Sequence, residues 1–109
     1  MINENPIDFE TSISDGSVII LDVRTPEEFN EGHIENALNI GIYGEEFAAK
    51  ILKLDPNKSY GVYCRSGKRS LDASNFMEAS GFTSIHHLKD GILSWLADGK
   101  HVTEKSNDV

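Results

Sequence analysis

The sequence lacks several features that would mark particular classes of protein. It has one cysteine in 109 residues, so no disulfide can form within the chain and no oxidising compartment is implied. It has no apolar stretch of transmembrane length, and the opening segment MINENPIDFE lacks the basic start and apolar run of a signal peptide. We therefore expect a cytoplasmic protein.

Positive charge is also scarce. Ten lysines and arginines stand against 18 aspartates and glutamates, which gives a formal net charge of -8 at pH 7. Such a field repels nucleic acid and anionic membranes, so we expect neither as a partner. The hydrophobic fraction of 39% suits a globular chain with one core. The length predicts a single domain over residues 1–109, whose polar end, 103–109, is expected to be a flexible tail.

Strand-like and helix-like segments alternate along the chain. Short apolar runs rich in β-branched residues predict strands at 18–23, 37–40, 59–63 and 84–88. Helical periodicity, caps and glycine stops predict helices at 8–14, 26–31, 45–54, about 67–80 and around 92–96. On the third of these helices, Phe47, Ala48, Ile51 and Leu52 are expected to share the inward face. This alternation predicts an α/β sandwich with a mostly parallel sheet.

The single cysteine follows one of these strands directly and precedes a predicted helix, in the segment YGVYCRSGKRS over residues 60–70. Active sites of open α/β sheets lie at the carboxyl ends of the strands. Three of the ten basic residues, Arg65, Lys68 and Arg69, occur within five positions after Cys64. The pattern therefore places a thiol in a local cationic turn of an otherwise acidic chain.

Three features of this turn favour the thiolate form of Cys64. The start of the next helix supplies unpaired N–H groups and a positive dipole end. The three cations add charge, and Gly67 lets the backbone curl into an anion-binding nest. Such a nest also suits an anionic substrate group such as a sulfonate, which arginine binds with a fork of donors. A lone cysteine after a strand is more often a small buried residue, but the combination favours a reactive thiol.

Three segments resemble those of rhodanese-type sulfurtransferases, in the same order. CRSGKRS at 64–70 resembles their active-site loop. LDVRTPEEF at 21–29, with GHI at 32–34 and ALNI at 37–40, resembles their N-terminal signature. DGILSW at 90–95 resembles their C-terminal Gly-Gly-x-x-x-Trp segment, although Asp90 replaces the first glycine, a position that we expect to be structural. The resemblance spans about residues 5–102, which we take as the core of the domain.

The resemblance implies a three-layer sandwich with a central, mainly parallel five-stranded sheet flanked by helices. It implies that Cys64 is the catalytic nucleophile, which takes sulfane sulfur from a donor such as thiosulfate and passes it to cyanide or a thiol. The expected substrate-binding residues are Arg65, Ser66, Gly67, Lys68, Arg69 and Ser70, with Arg65 and Lys68 as candidates for the sulfonate. No metal or organic cofactor is implied.

Two alternatives stay open. Phosphatases and arsenate reductases of similar scaffold place one more residue between cysteine and arginine, whereas four residues separate Cys64 from Arg69 here. They usually carry histidine where this chain has Tyr63, so phosphate chemistry is disfavoured. The other alternative is a persulfide carrier or regulatory module that relays sulfur to a protein partner, because a short chain has few loops for a selective pocket.

Other polar residues are expected to be structural. We expect Arg24 to pair with a nearby carboxylate such as Glu28, and His33 to brace its turn by hydrogen bonding. His86 and His87 are adjacent on a predicted strand, so they point to opposite faces and cannot form a joint metal site.

Overall fold

Strands and helices alternate along the chain in the computed structural model, which describes residues 1–105. The strands are β1 (Ile2–Glu4), β2 (Val18–Asp22), β3 (Leu38–Asn39), β4 (Ser59–Tyr63) and β5 (Ser84–Leu88). The helices are α1 (Pro6–Ile13), α2 (Pro26–Glu31), α3 (Phe47–Leu52), α4 (Lys68–Ala79) and α5 (Gly91–Ala97). Across residues 1–105, every helix is too short or too polar to cross a lipid bilayer.

The five strands form one parallel sheet in the order β1-β5-β4-β2-β3. β4 lies at the centre, where Val62 pairs with Leu21 of β2 on one side and His87 of β5 on the other. Its residues from Tyr60 to Tyr63 are buried, as expected for a parallel strand that is covered on both faces. The predicted α/β sandwich with a five-stranded sheet is therefore confirmed.

Helices cover both faces of the sheet and bury two apolar layers. Ile51 of α3 with Ala73 and Met77 of α4 pack on one face, in the same cluster as Cys64. On the other face, α1 and α5 bury Phe9, Ile92 and Trp95, and the Phe9 and Trp95 rings meet edge to face at 6.2 Å between centroids. The packing of α4 and α5 on opposite sides of β4 places both helix N-termini near the strand's carboxyl end.

Backbone pairing also occurs on either side of residues 5–102. The edge strand β1 begins at Ile2 and pairs with β5, although its sequence, INE, has no apolar alternation. At the other end, Thr103 forms an isolated antiparallel bridge with His33, so the predicted tail is paired at its start. β1 can pair there because the outer edge of β5 offers free backbone groups. Residues 106–109 of the predicted tail lie outside the described residues.

The helices lie where they were predicted, but the length and the buried face of α3 differ from the prediction. Thr25 and Glu28 form a reciprocal capping box at the start of α2, with Pro26 in the first turn. α3 is shorter than the predicted 45–54, and Ala48 and Leu52 are exposed on it, against the prediction that they face inward. With two turns or fewer, α3 can bury only a narrow stripe, which here centres on Ile51.

Candidate active site at the end of the central strand

Cys64 directly follows β4 and begins the tight turn into α4. It is a free cysteine whose residue is 1% exposed, so it lies at the floor of the turn. The backbone N–H of Gly67 donates to Cys64 Sγ at 3.1 Å. A backbone N–H that donates to a cysteine sulfur is the type of contact found in anion-binding turns.

Gly67 can form this contact because it has no side chain. Its φ of 115° lies in the left-handed region, which disfavours residues with a Cβ. A Cβ at this position would also lie 2.0 Å from the carbonyl oxygen of Lys89. The turn therefore requires glycine both for its backbone conformation and for its close approach to the segment after β5.

The N-terminus of α5 holds the turn from the other side. The N–H of Ile92 donates to the Cys64 carbonyl at 2.9 Å, and the N–H of Leu93 donates to the Arg65 carbonyl at 3.1 Å. Gly91 has a φ of 73°, and a Cβ there would lie 2.2 Å from the Arg65 oxygen. The 64–70 and 90–95 segments therefore interlock through backbone contacts, which explains why both occur in one sequence.

Asp90 shows why its departure from the family pattern is tolerated. It occupies the N-cap position of α5 with a φ of -107°. That conformation is accessible to any residue, unlike the positive φ of the glycine that follows. The structure thus demands glycine at 91 but not at 90.

Arg69 turns towards a carboxylate. Its two terminal nitrogens donate to the two oxygens of Glu28 at 2.7 and 3.0 Å, a bidentate pair that joins α4 to α2. Hydrogen bonding to Arg69 lowers the pKa of Glu28 to about 2, despite an opposing effect of burial. The Arg69 guanidinium also lies 5.9 Å from the centre of the Tyr43 ring. The arginine that closes the turn is therefore held in place by two partners.

Arg24 has a different partner from the one predicted. Its guanidinium pairs with Asp22, with Nη2 to Oδ2 at 2.6 Å, and donates to the Gly32 carbonyl at 2.7 Å. The prediction of Glu28 was wrong because Glu28 is committed to Arg69. Asp22 lies two residues before Arg24 and shares its face of the strand end, so the buried pair forms locally.

The other predicted binding residues differ in their contacts. Arg65, Ser66 and Lys68 are exposed. The Lys68 ammonium is directed along α4 to Asp72, which it contacts at 3.1 Å. Arg65 lines a cleft of about 240 Å³ between α2 and α5, together with Leu93 and Leu96. Of the two cations predicted for the sulfonate, Arg65 alone lines this cleft.

Ser70 lies beneath the turn. Its side chain is fully buried, with Oγ 3.1 Å from the Gly67 carbonyl oxygen and 2.7 Å from His87 Nε2. Ser70 was predicted to bind substrate, and no role at this turn was predicted for His87. The sequence signal that could have identified His87 was the alternation of side chains along β5, which indicated that the two histidines face opposite sides of the sheet. Accordingly, His86 pairs with Glu4.

His33 is a structural residue, as predicted. One of its ring nitrogens lies 2.8 Å from the Phe29 carbonyl oxygen and the other 3.0 Å from the Lys105 carbonyl oxygen. The ring also stacks on Phe29, with 3.6 Å between centroids. Within residues 1–105, no three or more histidine, cysteine, aspartate or glutamate side chains are grouped to hold a metal ion.

These features define a class of α/β domain: a cysteine whose sulfur accepts a backbone N–H sits in the turn after the central strand, and a second helix start braces that turn. The rhodanese-like domain family model matches residues 5–98. The chain therefore belongs to the rhodanese-like domain family.

Known proteins resemble this chain over most of its length. The "Putative thiosulfate sulfurtransferase, mitochondrial" of Schizosaccharomyces pombe is 35% identical over 92 residues, which cover 74% of this chain and 65% of that protein. The tRNA uridine(34) hydroxylase of Pelagibacter ubique is 33% identical over 97 residues, 88% of this chain and 32% of that protein. This chain thus spans less than two thirds of either relative. The crystal structure of a rhodanese-related protein from Thermoplasma volcanium superposes with a TM-score of 0.84 at 32% identity, covering 96% of this chain and 100% of that one.

Proposed function

We propose that this protein is a sulfurtransferase that moves sulfane sulfur from thiosulfate or a similar anionic donor, through Cys64, to cyanide or a thiol. The observation that carries the proposal is the Gly67 N–H at 3.1 Å from Cys64 Sγ. Only four residues separate Cys64 from Arg69, so the turn suits one sulfur atom better than a phosphate group. The name of the S. pombe relative supports the same chemistry.

The reaction has two displacement steps. In the first, the Cys64 thiolate attacks the outer sulfur of thiosulfate, the sulfur–sulfur bond of the donor breaks, and sulfite leaves with the bonding electron pair. In the second, the acceptor attacks the outer sulfur of the resulting persulfide and the Cys64 thiolate leaves. With cyanide the product is thiocyanate, and the enzyme returns to its starting state without an external oxidant or reductant.

The residues around the turn have separate roles in this scheme. The Gly67 N–H and the N-terminus of the 12-residue helix α4 stabilise negative charge on sulfur in both steps. Arg65 binds the sulfonate from the cleft side. Arg69 is fixed by Glu28 and shapes the turn, while Lys68 adds only a distant charge.

The test of the proposal is a persulfide assay by mass spectrometry. The protein is incubated with thiosulfate, and we expect the mass of one added sulfur atom, which cyanide then removes. The Cys64→Ala variant should gain no sulfur. Absence of the adduct, or an adduct that survives in Cys64→Ala, would falsify the proposal. Hydrolysis of an aryl phosphate that depends on Cys64 would instead support phosphatase chemistry.

A matched pair of variants tests the assignment of the sulfonate site. Arg65→Ala should raise the KM for thiosulfate about tenfold, the effect of losing one charged hydrogen-bond partner, with little change in kcat. Lys68→Ala removes an equal charge three residues away, but its ammonium is already directed to Asp72, so the KM should change little. Equal effects of the two variants would show that the turn acts through general charge and not through Arg65.

A persulfide carrier or regulatory module acting with a protein partner is the second candidate. It is favoured by the match to one third of the P. ubique hydroxylase, where the same kind of domain is part of a longer protein. Fast persulfide formation with slow turnover on cyanide would support the carrier, whereas efficient turnover with thiosulfate and cyanide alone would exclude it.

A further inference from the structure

A series of hydrogen-bonded polar groups, with His87 and Ser70 buried, lies beneath the Cys64 turn. His87 on β5 is 2% exposed, with Nδ1 at 2.8 Å from Asn3 Oδ1 and Nε2 at 2.7 Å from Ser70 Oγ. Ser70 Oγ lies 3.1 Å from the carbonyl oxygen of Gly67. Gly67 is the residue whose N–H donates to Cys64 Sγ. These contacts thus connect the edge strand β1 with Gly67, the residue that donates to the sulfur.

Ser70 has hydrogen-bond partners on both sides. Its hydroxyl donates to the Gly67 carbonyl at 3.1 Å, and its oxygen lies 2.7 Å from His87 Nε2, where either atom can be the donor. A neutral imidazole donates at one nitrogen and accepts at the other, so the ring can bond to Ser70 in either tautomer. Ser70 therefore links β5 to the first turn of α4.

The surroundings of His87 favour the neutral ring. Burial lowers the pKa of His87, and the Gly67 carbonyl and the negative charge of Asp90 oppose this shift only in part. Asn3 meets the ring from β1 and Ser70 meets it from α4, and neither side chain carries a charge. The ring is therefore held neutral near pH 7 and stays hydrogen-bonded to Ser70.

We propose that His87 is a positioning residue for Cys64: by its hydrogen bond to Ser70 Oγ, it fixes the first turn of α4 and so keeps the Gly67 N–H aimed at the sulfur. This rests on the proposed function of Cys64 as a sulfur-carrying nucleophile. Lys89, which directly follows β5, also constrains the position of Gly67, because a Cβ on this glycine would lie 2.0 Å from the Lys89 carbonyl oxygen. His87 thus acts on the thiolate without touching the substrate.

The test measures the ultraviolet absorbance of the Cys64 thiolate against pH, with Cys64→Ser as the baseline, since the chain has one cysteine. His87→Phe keeps a ring but removes both nitrogens. We expect its ratio of thiolate to thiol at pH 7 to fall about tenfold, the effect of one hydrogen bond to a charged group. His87→Gln keeps an acceptor for Ser70, so it should recover most of the wild-type ratio.

The matched control is His86→Gln. His86 is the adjacent histidine, and it bonds to Glu4 of β1 on the opposite face of the sheet from His87, so the ratio should not change. Should His87→Phe fail to fold, Ser70→Ala breaks the same link from the helix side and should give the same fall. An unchanged ratio in folded His87→Phe or Ser70→Ala, or an equal fall in His86→Gln, would overturn the inference.

The absorbance measurement needs no sulfur donor, so it separates this inference from the proposed function. A wild-type protein that forms no persulfide, yet loses thiolate in His87→Phe, would refute sulfur transfer and leave the role of His87 standing. A protein that forms the persulfide equally well with and without His87, at an unchanged thiolate ratio, would retain sulfur transfer and refute the positioning role.

Discussion

Glu28 offers the sharpest test of the electrostatics around the turn. Glu28→Gln keeps the size and shape of the side chain but removes its charge. The bidentate contact to Arg69, at 2.7 and 3.0 Å, then becomes at most one hydrogen bond from the guanidinium to an uncharged amide oxygen. A glutamine at this position can still accept from the Thr25 N–H in the capping box, so the main loss is the ion pair.

The size of the effect follows from the pKa of Glu28, which the Arg69 hydrogen bonds lower from 4.5 to about 2. At about 1.4 kcal/mol per pKa unit the full shift corresponds to roughly 3 kcal/mol of folding free energy. The Glu28 side chain is 26% exposed, and water screens part of this interaction, so we expect Glu28→Gln to cost about 1–2 kcal/mol at pH 7.

The pH dependence has a definite sign. Because the folded pKa lies below the unfolded one, the stabilisation is fully present above pH 4.5 and is lost as the pH falls towards 2. Urea unfolding at pH 7, 4 and 3 should show the gap between wild type and Glu28→Gln shrinking. Glu27→Gln is the matched control, an exposed neighbour in the same first turn of α2. An equal loss in both variants, or a gap that is constant with pH, would refute the ion pair as the cause.

Three further substitutions test contacts that hold the site. Gly91→Ala should destabilise by about 2–4 kcal/mol and slow persulfide formation, because its Cβ would lie 2.2 Å from the Arg65 oxygen. Gly99→Ala has a similar φ of 77° but nothing within 4 Å, so urea unfolding should show a loss of only about 1 kcal/mol and normal persulfide formation. Tyr63→Phe removes the hydroxyl that accepts the buried Ile34 N–H at 3.0 Å, which should cost about 1–3 kcal/mol, measured as a lower Tm.

The features that could be predicted from the sequence are those that depend on near neighbours along the chain. The run at 18–23 is a strand, and the capping box of Thr25 and Glu28 begins a helix, because a few adjacent residues decide each. The turn after Cys64 is equally local, since the glycine and the helix start follow within four residues. The order of the motifs was therefore sufficient to predict the sandwich and the location of the thiol.

What only the tertiary structure decided are the partners of side chains and the use of sheet edges. Glu28 pairs with Arg69, 41 residues away, and not with the nearer Arg24; Asn3 pairs with His87, 84 residues away. The three-residue β1 is a strand only because β5 offers it an edge. Such contacts depend on which elements pack together and on which carboxylate is already engaged. A local sequence pattern contains no information on either. The sequence alone therefore determined the position of Cys64 after the central strand, whereas the tertiary structure determined which side chains surround it.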